Sequence, residues 1–582
     1  MAISSKTPQF DKVLEGYFAG LELDEKGGQW RKCRFSGEKF YVRPDDIQFH
    51  RKIGVPLPTL SPLERARRKI AFYNGYNLFK GVSAFSGKPL ICEYPLDTPF
   101  EIYEHQVWFG EGWEPLDCGI DYQPGKAFFE QTRELQLKTP RPNLRVDATN
   151  VNSDFTNGAF RLKDCYLVFD SKGAQDCAYG IAIDGSKNCL DCLSTYNSEQ
   201  CYGCFEGSHL FKCFFAEYCR YCLESYFLFD CRDCDHCFMC SNLRHKKYYF
   251  FNQQLTAEEY QAEIAKINLG QRDTLNFFLG EFTKLKNRAI YKENHNDRAV
   301  NCFGDYIQAS KNCYSCFYSV ASENLAYSLG NFQLKDCFDT FGGVDCAFVY
   351  DSNGGVGNYG LKFCFAVKLS RNLEYCDTCI NCRDCFGCIG LKNKSFCILN
   401  RQYEENEYWQ KLDEIKTQML KQGEYGEFFP PEMALVPYNI SVATSYQGFD
   451  DIERARQYGY LVQDIPETPQ NVIRDVIEAK DVPQDIKDIQ DDILDKVIFD
   501  KKNNKKFRYI RAELDFHRKN NLSLPLEHPS IRLTQGRKKL GPIALHFYER
   551  NCSKCSKAMQ SVYPSSDPRT VYCEDCYLKE VV

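Results

Sequence analysis

The chain has 582 residues, 43% of them hydrophobic and 15% aromatic, which is enough to bury several cores. Its net charge of −6 argues against wholesale nucleic-acid binding, and it contains 32 cysteines. The first residues lack the pattern of a signal peptide, and no apolar run approaches the roughly 20 residues of a membrane helix. We therefore expect a cytoplasmic protein whose cysteines are reduced thiols or metal ligands rather than a disulfide framework.

The two ends of the chain repeat each other. Phe49–Lys52 reads Phe-His-Arg-Lys, and the same letters recur at Phe516–Lys519. Farther on, Pro62, Arg65, Lys88 and Tyr94 match Pro529, Arg532, Lys557 and Tyr563. Because a long internal repeat indicates a repeated fold, we predict zinc-ribbon-like α+β modules at residues 1–145 and 496–582. His50 and His517 then belong to the shared fold rather than to catalysis.

Cysteines recur with a 12-residue period in the next predicted segment, residues 146–297. Cys165, Cys177, Cys189, Cys201, Cys213 and Cys237 share one phase, and the other cysteines lie a multiple of three residues away. This period matches neither an α-helix nor a flat strand. It is typical of a β-solenoid with short coils, in which the same phase of each coil points inward. Cysteine is small and apolar enough for so narrow an interior.

The neighbours of the cysteines fit this interpretation. The preceding residue is often Asp or Asn, as at Asp164, Asp176, Asn188, Asp191, Asp230, Asp233, Asn312, Asp336, Asp345 and Asp384. These residue types favour tight turns. The following residue is often aromatic, which predicts aromatic stacks on an outer face.

A shift of about 148 residues superimposes this segment on a second predicted solenoid, residues 298–423. Cys231, Cys234, Cys237 and Cys240 fall on Cys379, Cys382, Cys385 and Cys388 without a gap. Each copy ends in an amphipathic helical pattern. The first begins with the capping-box residues Thr256 and Glu259, and the second runs from about Glu404 to Leu420. Such helices would cover the open edges of the solenoids.

The remaining chain divides into an acidic linker, residues 424–495, and the basic C-terminal module. Residues 446–495 carry a charge of roughly −8 and residues 496–582 roughly +9. In the C-terminal module, two Cys-x2-Cys pairs have zinc-ribbon spacing, and we predict that they hold one structural zinc ion. The predicted ligands are Cys552, Cys555, Cys573 and Cys576.

The N-terminal module lacks this ligand set. Its aligned positions are Ser83, Ser86, Glu104 and Val107, which cannot form a four-thiolate site. We therefore predict that this copy keeps the fold and has lost the metal.

The chain resembles a family of cysteine-rich, zinc-ribbon-containing proteins predicted from the genomes of very small bacteria. The resemblance rests on the segments at 390–403, 425–431 and 571–581, and it covers nearly the whole length. Members of that family tend to carry a further Cys-x2-Cys and Cys-Pro-x-Cys, where this chain has Cys33-x2-Ser36 and Ser61-Pro-x-Glu64. This chain therefore lacks most ligands of that further site, and the resemblance leaves open whether Cys33 is a vestigial ligand. It supports the architecture and brings no activity with it.

The Cys-x2-Cys runs at 231–240 and 376–388 allow three interpretations. They resemble iron–sulfur ligand spacing but lack the ending of the ferredoxin run. The 12-residue period explains the same cysteines as interior packing. Disulfides between stacked cysteines would need a dihedral angle that parallel Cβ directions disfavour.

Basic residues are the remaining functional signal. Those that could contact nucleic acid are Lys501, Lys502, Lys505, Lys506, Arg508, Arg537, Lys538 and Lys539. Zinc ribbons beside basic patches often bind RNA, DNA or ribonucleoproteins. The alternatives are a solvated charged face or docking of the acidic segment.

The sequence thus predicts a mainly β protein of two tandem solenoids flanked by zinc-ribbon-like modules. We find no catalytic constellation and expect a non-catalytic scaffold or binding protein, with nucleic acid, a ribonucleoprotein or a protein as partner. A redox or metal-cluster protein and an enzyme with a site assembled between modules are the alternatives.

Overall fold

The computed structural model describes residues 5–74, 76–146, 149–446, 448–464, 475–539 and 547–581. It is strand-rich, which confirms the predicted predominance of β-structure. The chain forms two compact units. Unit 1 takes its described residues from Met1–Asn143 and Asn294–Asp464, and unit 2 from Leu144–Glu293, Ile465–Gly541 and Phe547–Val582. The five predicted segments remain predictions, and residues 465–474 of the predicted linker lie outside the described residues.

The N-terminal part of unit 1 consists of short hairpins and helices. Its elements are α1 (Pro8–Ala19), β1 (Gln29–Lys32), β2 (Lys39–Val42), α2 (Pro44–Ile53), α3 (Pro62–Ile70), β3 (Phe79–Val82), β4 (Pro89–Cys92), β5 (Ile102–Tyr103), α4 (His105–Phe109), α5 (Phe128–Lys138) and β6 (Arg141–Pro142). β1 pairs with β2 and β3 with β4, each antiparallel.

Unit 2 begins with a ladder of parallel strands, called ladder 1. Its strands are β7 (Thr156–Asn157), β8 (Tyr166–Phe169), β9 (Ala178–Ile181), β10 (Leu193–Tyr196), β11 (Phe205–Ser208), β12 (Phe214–Glu217), β13 (Tyr226–Phe229), β14 (Asp235–Ser241), β15 (Lys247–Phe250) and the antiparallel β16 (Gln253–Gln254). They are followed by α6 (Ala257–Ile264), α7 (Arg272–Arg288) and β17 (Ile290–Lys292).

Unit 1 contains the corresponding ladder 2. Its strands are β18 (Phe303–Gln308), β19 (Lys311–Val320), β20 (Glu323–Ala326), β21 (Leu329–Phe332), β22 (Lys335–Val344), β23 (Tyr350–Val356), β24 (Phe365–Lys368), β25 (Arg371–Glu374), β26 (Arg383–Phe386), β27 (Ser395–Ile398) and the antiparallel β28 (Arg401–Gln402). Helices α8 (Glu405–Gln422) and α9 (Ile452–Gln457) follow.

The C-terminal part of unit 2 repeats the pattern of short hairpins. Its elements are β29 (Val476–Glu478), β30 (Val497–Asp500), β31 (Lys505–Phe507), α10 (Arg511–Lys519), α11 (Pro529–Lys538), β32 (Tyr548–Asn551), β33 (Ala558–Ser561), β34 (Thr570–Tyr572) and α12 (Glu574–Val581). Single 3₁₀ turns occupy Pro115–Cys118, Pro431–Met433, Tyr438–Ile440, Val442–Ser445, Ala479–Asp481, Ile486–Asp488 and Asp491–Leu494. No helix in the described ranges is long and apolar enough to cross a membrane.

Most ladder strands pair in parallel with a strand about 12 residues farther along the chain. Leu193 lies opposite Phe205, and Cys385 lies opposite Cys397. The Lys187 N–H donates to the Ser198 carbonyl (2.8 Å), and the Lys187 carbonyl accepts from Gln200 (3.0 Å). The ten Asp and Asn residues predicted to make tight turns have φ between 49° and 53°, the left-handed conformation that these residue types tolerate.

The predicted burial of the ladder cysteines is confirmed. Cys189, Cys201 and Cys213 are fully buried, and every cysteine of ladder 2 except the partly exposed Cys302 is buried. Their sulfurs contact backbone carbonyls; the Cys213 thiol, for example, lies 3.2 Å from the Cys222 oxygen. The interior of ladder 2 also holds aliphatic side chains such as Leu361 and Leu373, so it accepts compact apolar residues.

The aromatic stacks form, but they are covered rather than exposed. The rings of Phe214 and Tyr226 lie 5.1 Å apart, and those of Phe238 and Phe250 5.3 Å. Phe238 is buried because Phe278 of α7 packs against it at 5.1 Å. The terminal helices α6 and α8 are confirmed, and Thr256 and Glu259 form the predicted capping box.

In unit 1, the N-terminal helices pack on ladder 2 through a buried ion pair. Arg65 Nε donates to Asp339 Oδ1 at 2.8 Å, and both side chains are at most 4% exposed. The Tyr327 hydroxyl donates to Asp46 at 2.8 Å. Burial lowers the pKa of His50 to about 4, and its Nδ1 lies 3.0 Å from the Pro56 carbonyl.

In unit 2, the C-terminal helices make the matching contacts with ladder 1. Arg532 bonds Asp191 and, at 2.9 Å, Glu513. The Tyr179 hydroxyl donates to Glu513 at 2.9 Å. Burial lowers the pKa of His517 to about 3, and its Nδ1 lies 2.9 Å from the Ser523 carbonyl. We call Arg65–Asp339 and Arg532–Asp191 the docking pairs.

The described parts of the predicted linker are packed. Phe428 and Met433 are buried in the core of unit 1. Ile486 and Ile493 are buried in the C-terminal core of unit 2. This segment therefore contributes to both cores.

We expect bulky thiol reagents to reach few cysteines in the native protein. Among the cysteines, only Cys555 is exposed, and Cys118, Cys302 and Cys576 are partly exposed. In the native protein the reagent should modify Cys555 faster than the three partly exposed cysteines. The other cysteines should react only after denaturation, and peptide mass spectrometry identifies the modified residues. Rapid native labelling of Cys189 would contradict the buried interior.

We expect the stability of both units to fall as pH falls from about 6.5 toward 4. The folded pKa values of His50 and His517 lie below the unfolded value of about 6.5, so the unfolded chain binds more protons in this window. The free energy of unfolding should fall by about 3 kcal/mol for each histidine over this pH range. Urea unfolding at pH 7 and pH 4 measures it. His50→Gln with His517→Gln should reduce the acid sensitivity, and the exposed His245→Gln should not. Equal acid sensitivity in all three proteins would refute the assignment.

Candidate metal centre

The C-terminal hairpin brings four cysteines together. Cys552 and Cys555 lie on the turn between β32 and β33, Cys573 follows β34, and Cys576 lies in the first turn of α12. The four sulfurs lie within 4.8 Å of one another, and those of Cys555 and Cys573 are 3.8 Å apart. These residues could hold a metal ion. No other such group of side chains occurs in the described part of the chain.

Backbone N–H groups prepare Cys552 to be a ligand. Its sulfur accepts from Lys554 N at 3.4 Å and from Cys573 N at 3.3 Å. Burial alone would raise the pKa of Cys552, but the N–H groups of Cys555, Cys573 and Lys554 lower it to about 6. Because the thiolate is the form that binds metals, the turn favours coordination at neutral pH.

The same scaffold occurs four times in the protein. We number as positions 1 to 4 the residues that correspond to Cys552, Cys555, Cys573 and Cys576. Counted from position 1, the two strands pair in the same register in hairpins A (β1–β2), B (β3–β4), C (β30–β31) and D (β32–β33). In hairpins A, B and D, positions 1 and 2 lie on the turn, whereas position 1 of hairpin C is the last residue of β30. In all four, position 3 directly precedes a helix that carries position 4. The four sets are Cys33, Ser36, Ser61 and Glu64 in A; Ser83, Ser86, Glu104 and Val107 in B; Asp500, Asn503, His528 and Ile531 in C; and the four cysteines in D.

Hairpin B replaces the thiolates with a hydrogen-bonded carboxylate. The Ser83 hydroxyl donates to Glu104 at 2.5 Å, and the Ser86 hydroxyl donates to the other oxygen. Burial would raise the pKa of Glu104, but the two serines lower it. Val107 supplies no polar atom. The polar groups of this copy thus satisfy one another, and its predicted lack of metal remains a prediction.

Hairpin A keeps one cysteine. Burial would raise the pKa of Cys33, but Ser36 and the backbone of Ser61 lower it. The carboxylate at position 4, Glu64, bonds Arg67 Nε at 2.9 Å. Position 4 is therefore engaged in an ion pair, consistent with Cys33 as a vestige.

Hairpin C was not predicted from the sequence. Asp500 accepts from the Asn503 side chain at 2.8 Å and from the His528 backbone at 3.0 Å. Burial would raise the pKa of Asp500, but these bonds lower it. The shift that places His50 on His517 also places Cys33 on Asp500, so this repeat could have revealed the hairpin.

The residues predicted to contact nucleic acid differ in the exposure of their side chains. Lys501 and Lys502 lie on the turn of hairpin C, with side chains 74% and 79% exposed. Arg508 and Lys538 are also exposed. Lys539 bonds Glu217 at 3.0 Å. The remaining residues, Lys505, Lys506 and Arg537, are partly buried.

The Cys-x2-Cys run of ladder 1 does not form a metal cluster in the structure. The thiols of Cys231, Cys234, Cys237 and Cys240 lie 3.5, 3.3, 3.5 and 3.2 Å from backbone carbonyl oxygens. They are buried inside the ladder, where the Cys234 thiol also contacts the thiols of Cys222, Cys231 and Cys237. Comparison with known proteins gives no further indication, because no family model and no curated protein matches this chain.

We expect one metal ion per chain, measured by elemental analysis of the purified protein. Cys552→Ser should remove it, because three thiolates hold an ion less tightly than four. Cys33→Ser, a control outside the cluster, should leave the content unchanged. Several ions per wild-type chain would mean that ladder cysteines are ligands.

Proposed function

We propose that the protein is a non-catalytic, zinc-containing scaffold whose C-terminal module binds nucleic acid. Its two ladders would be short-coil β-solenoids that hold the terminal modules. The phosphates of RNA, DNA or a ribonucleoprotein would be the ligand. A cytoplasmic location would keep the thiols reduced, and kinship with the cysteine-rich zinc-ribbon family is part of the proposal.

The register of the ladders supports the solenoid. In ladder 1, each strand from β7 to β14 pairs in parallel with the next strand along the chain, and bridges at the corners repeat the same step, as between Lys187 and Glu199. A chain that returns to the same position in every coil, one strand spacing farther on, is a solenoid.

The geometry of hairpin D supports zinc. Four sulfurs about 2.3 Å from one ion in a tetrahedron lie about 3.8 Å apart. This is the separation of the Cys555 and Cys573 sulfurs. Iron would fit a four-sulfur site as well, so the elemental analysis must also identify the ion. Bound zinc would stabilise the module, since binding energy to such a site is folding energy.

The observation that carries the nucleic-acid proposal is the exposed cationic turn of hairpin C. Lys501 and Lys502 have only long contacts with acidic groups, 3.9 Å to Glu478 and 3.4 Å to Glu527. Such exposed pairs contribute little, so both ammonium groups are available to a phosphate. A hairpin held at both strands presents them from a rigid support.

The two alternative functions have less support. A cluster role needs several sulfurs placed around one point, and within the described residues the group with that geometry is the four cysteines of hairpin D. An enzyme needs converging acid, base or nucleophile groups in a cleft. The buried His50 and His517 contact backbone carbonyls and serve the fold.

We expect the full-length protein to bind single-stranded RNA or duplex DNA weakly, with affinity that falls steeply as salt rises. Lys501→Glu with Lys502→Glu should weaken binding by about tenfold or more. The slope of log affinity against log salt concentration should become shallower by about two. Fluorescence anisotropy with labelled oligonucleotides measures both effects.

The matched control is Lys266→Glu with Lys284→Glu, which makes the same charge change in the turn after α6 and on α7 of unit 2. It should bind as the wild type does. Absence of binding at low salt, or equal weakening by the control, would overturn the nucleic-acid role and leave the zinc site unaffected.

A further inference from the structure

The two units use one set of docking contacts, although they join opposite ends of the chain to different ladders. The N-terminal module packs on ladder 2, and the C-terminal module packs on ladder 1. The repeat of the modules and the repeat of the ladders place each contact residue of unit 1 on a contact residue of unit 2. Arg65, Asp46, Asp339 and Tyr327 in unit 1 correspond to Arg532, Glu513, Asp191 and Tyr179 in unit 2.

Ring contacts repeat as well. His50 packs edge-on against Tyr350 at 4.8 Å, and His517 packs edge-on against Tyr202 at 4.9 Å. Each module therefore supplies an arginine, an acidic residue and a histidine, and each ladder supplies an aspartate and two tyrosines that contact them. On these contacts, either module fits either ladder. The shared contacts alone do not decide which module binds which ladder.

One buried contact differs completely between the units. In unit 1, Lys69 Nζ lies 2.6 Å from Asp351, and the side chains are 2% and 3% exposed. The corresponding residues of unit 2 are Gly536 and Gly203. Asp351 also accepts from the Phe428 backbone at 2.9 Å. The ion pair of one interface is thus replaced by two glycines in the other.

This difference penalises the wrong pairing. If the N-terminal module docked on ladder 1, Lys69 would be buried against Gly203 without a counter-charge. If the C-terminal module docked on ladder 2, Asp351 would face Gly536 in the same way. Burying an unpaired charge is far more costly than losing a surface contact.

We propose that Lys69 and Asp351 determine which terminal module occupies which ladder. Without this pair, each ladder accepts either module, including the module of a second copy of this chain. The ion pair therefore disfavours the N-terminal module on ladder 1 and the C-terminal module on ladder 2, both within one chain and between copies, where such mispairing is the usual hazard of repeated docking surfaces. This inference depends on the docking contacts and not on the nucleic-acid role.

The test uses the full-length chain and the variant Lys69→Gly with Asp351→Gly, which copies the contact of unit 2. Two preparations of different isotopic mass are unfolded together, refolded and examined by native mass spectrometry. The variant should give several-fold more mixed-mass assemblies than the wild type. The matched control, Lys6→Gly with Glu405→Gly, removes an exposed ion pair of the same unit and should mix no more than the wild type.

Two further measurements keep the test decisive. Each single substitution, Lys69→Gly or Asp351→Gly, should lower the melting temperature more than the double variant does, because it leaves one buried charge unpaired. If the double variant does not refold, Lys69→Met with Asp351→Asn removes both charges and retains volume. Mixing no greater than that of the control in a refolded charge-free variant would overturn the proposal.

Discussion

The parallel pairing of each residue with its equivalent in the next coil is the constraint on which the structure depends. It gives each ladder a narrow interior that compact apolar side chains fill, among them the free thiols Cys189 and Cys201 and the aliphatic Leu361. It also fixes which side chains point outward at every step. Aromatic rows then line one face and receive covering helices, as Phe278 of α7 covers Phe238. The same regularity gives each ladder a fixed surface on which a terminal module packs.

Docking on these surfaces relies on buried charge. Arg65–Asp339 and Arg532–Asp191 are removed from water, and desolvation offsets much of their attraction. Such pairs add little net stability, but removing one partner would leave a buried charge unpaired, which is strongly unfavourable. This cost explains why both units have the ion pair although only hairpin D has four cysteines. Hairpin B has lost its thiolates, yet it retains its strand register by satisfying its polar groups internally.

Much of the fold was predictable because local signals agreed with one another. The cysteine period, the Asp and Asn corners and the capping box at Thr256 each depend on short stretches of chain. The four-cysteine centre was predictable because its spacing is specific. The grouping of the N-terminal module with ladder 2 was not, because contacts such as Arg65 to Asp339 join residues 274 positions apart. Hairpin C was not predicted because it has no cysteine at any of the four positions, so no metal-ligand spacing marks it. Asp500 instead makes hydrogen bonds at position 1. The covering of the aromatic rows also depends on distant helices.

The central claim is that every coil of a ladder advances the chain by one strand spacing. Spin labels on exposed positions of one ladder phase test it directly by pulsed electron paramagnetic resonance. Lys163 and Leu223 are linked by five successive bridges between coils, so their backbones should lie about 24 Å apart. Lys163 and Glu199, three bridges apart, should be about 14 Å apart. Distances that grow by about 4.8 Å per bridge would support the account. Distances unrelated to the number of coils between the labels would contradict it.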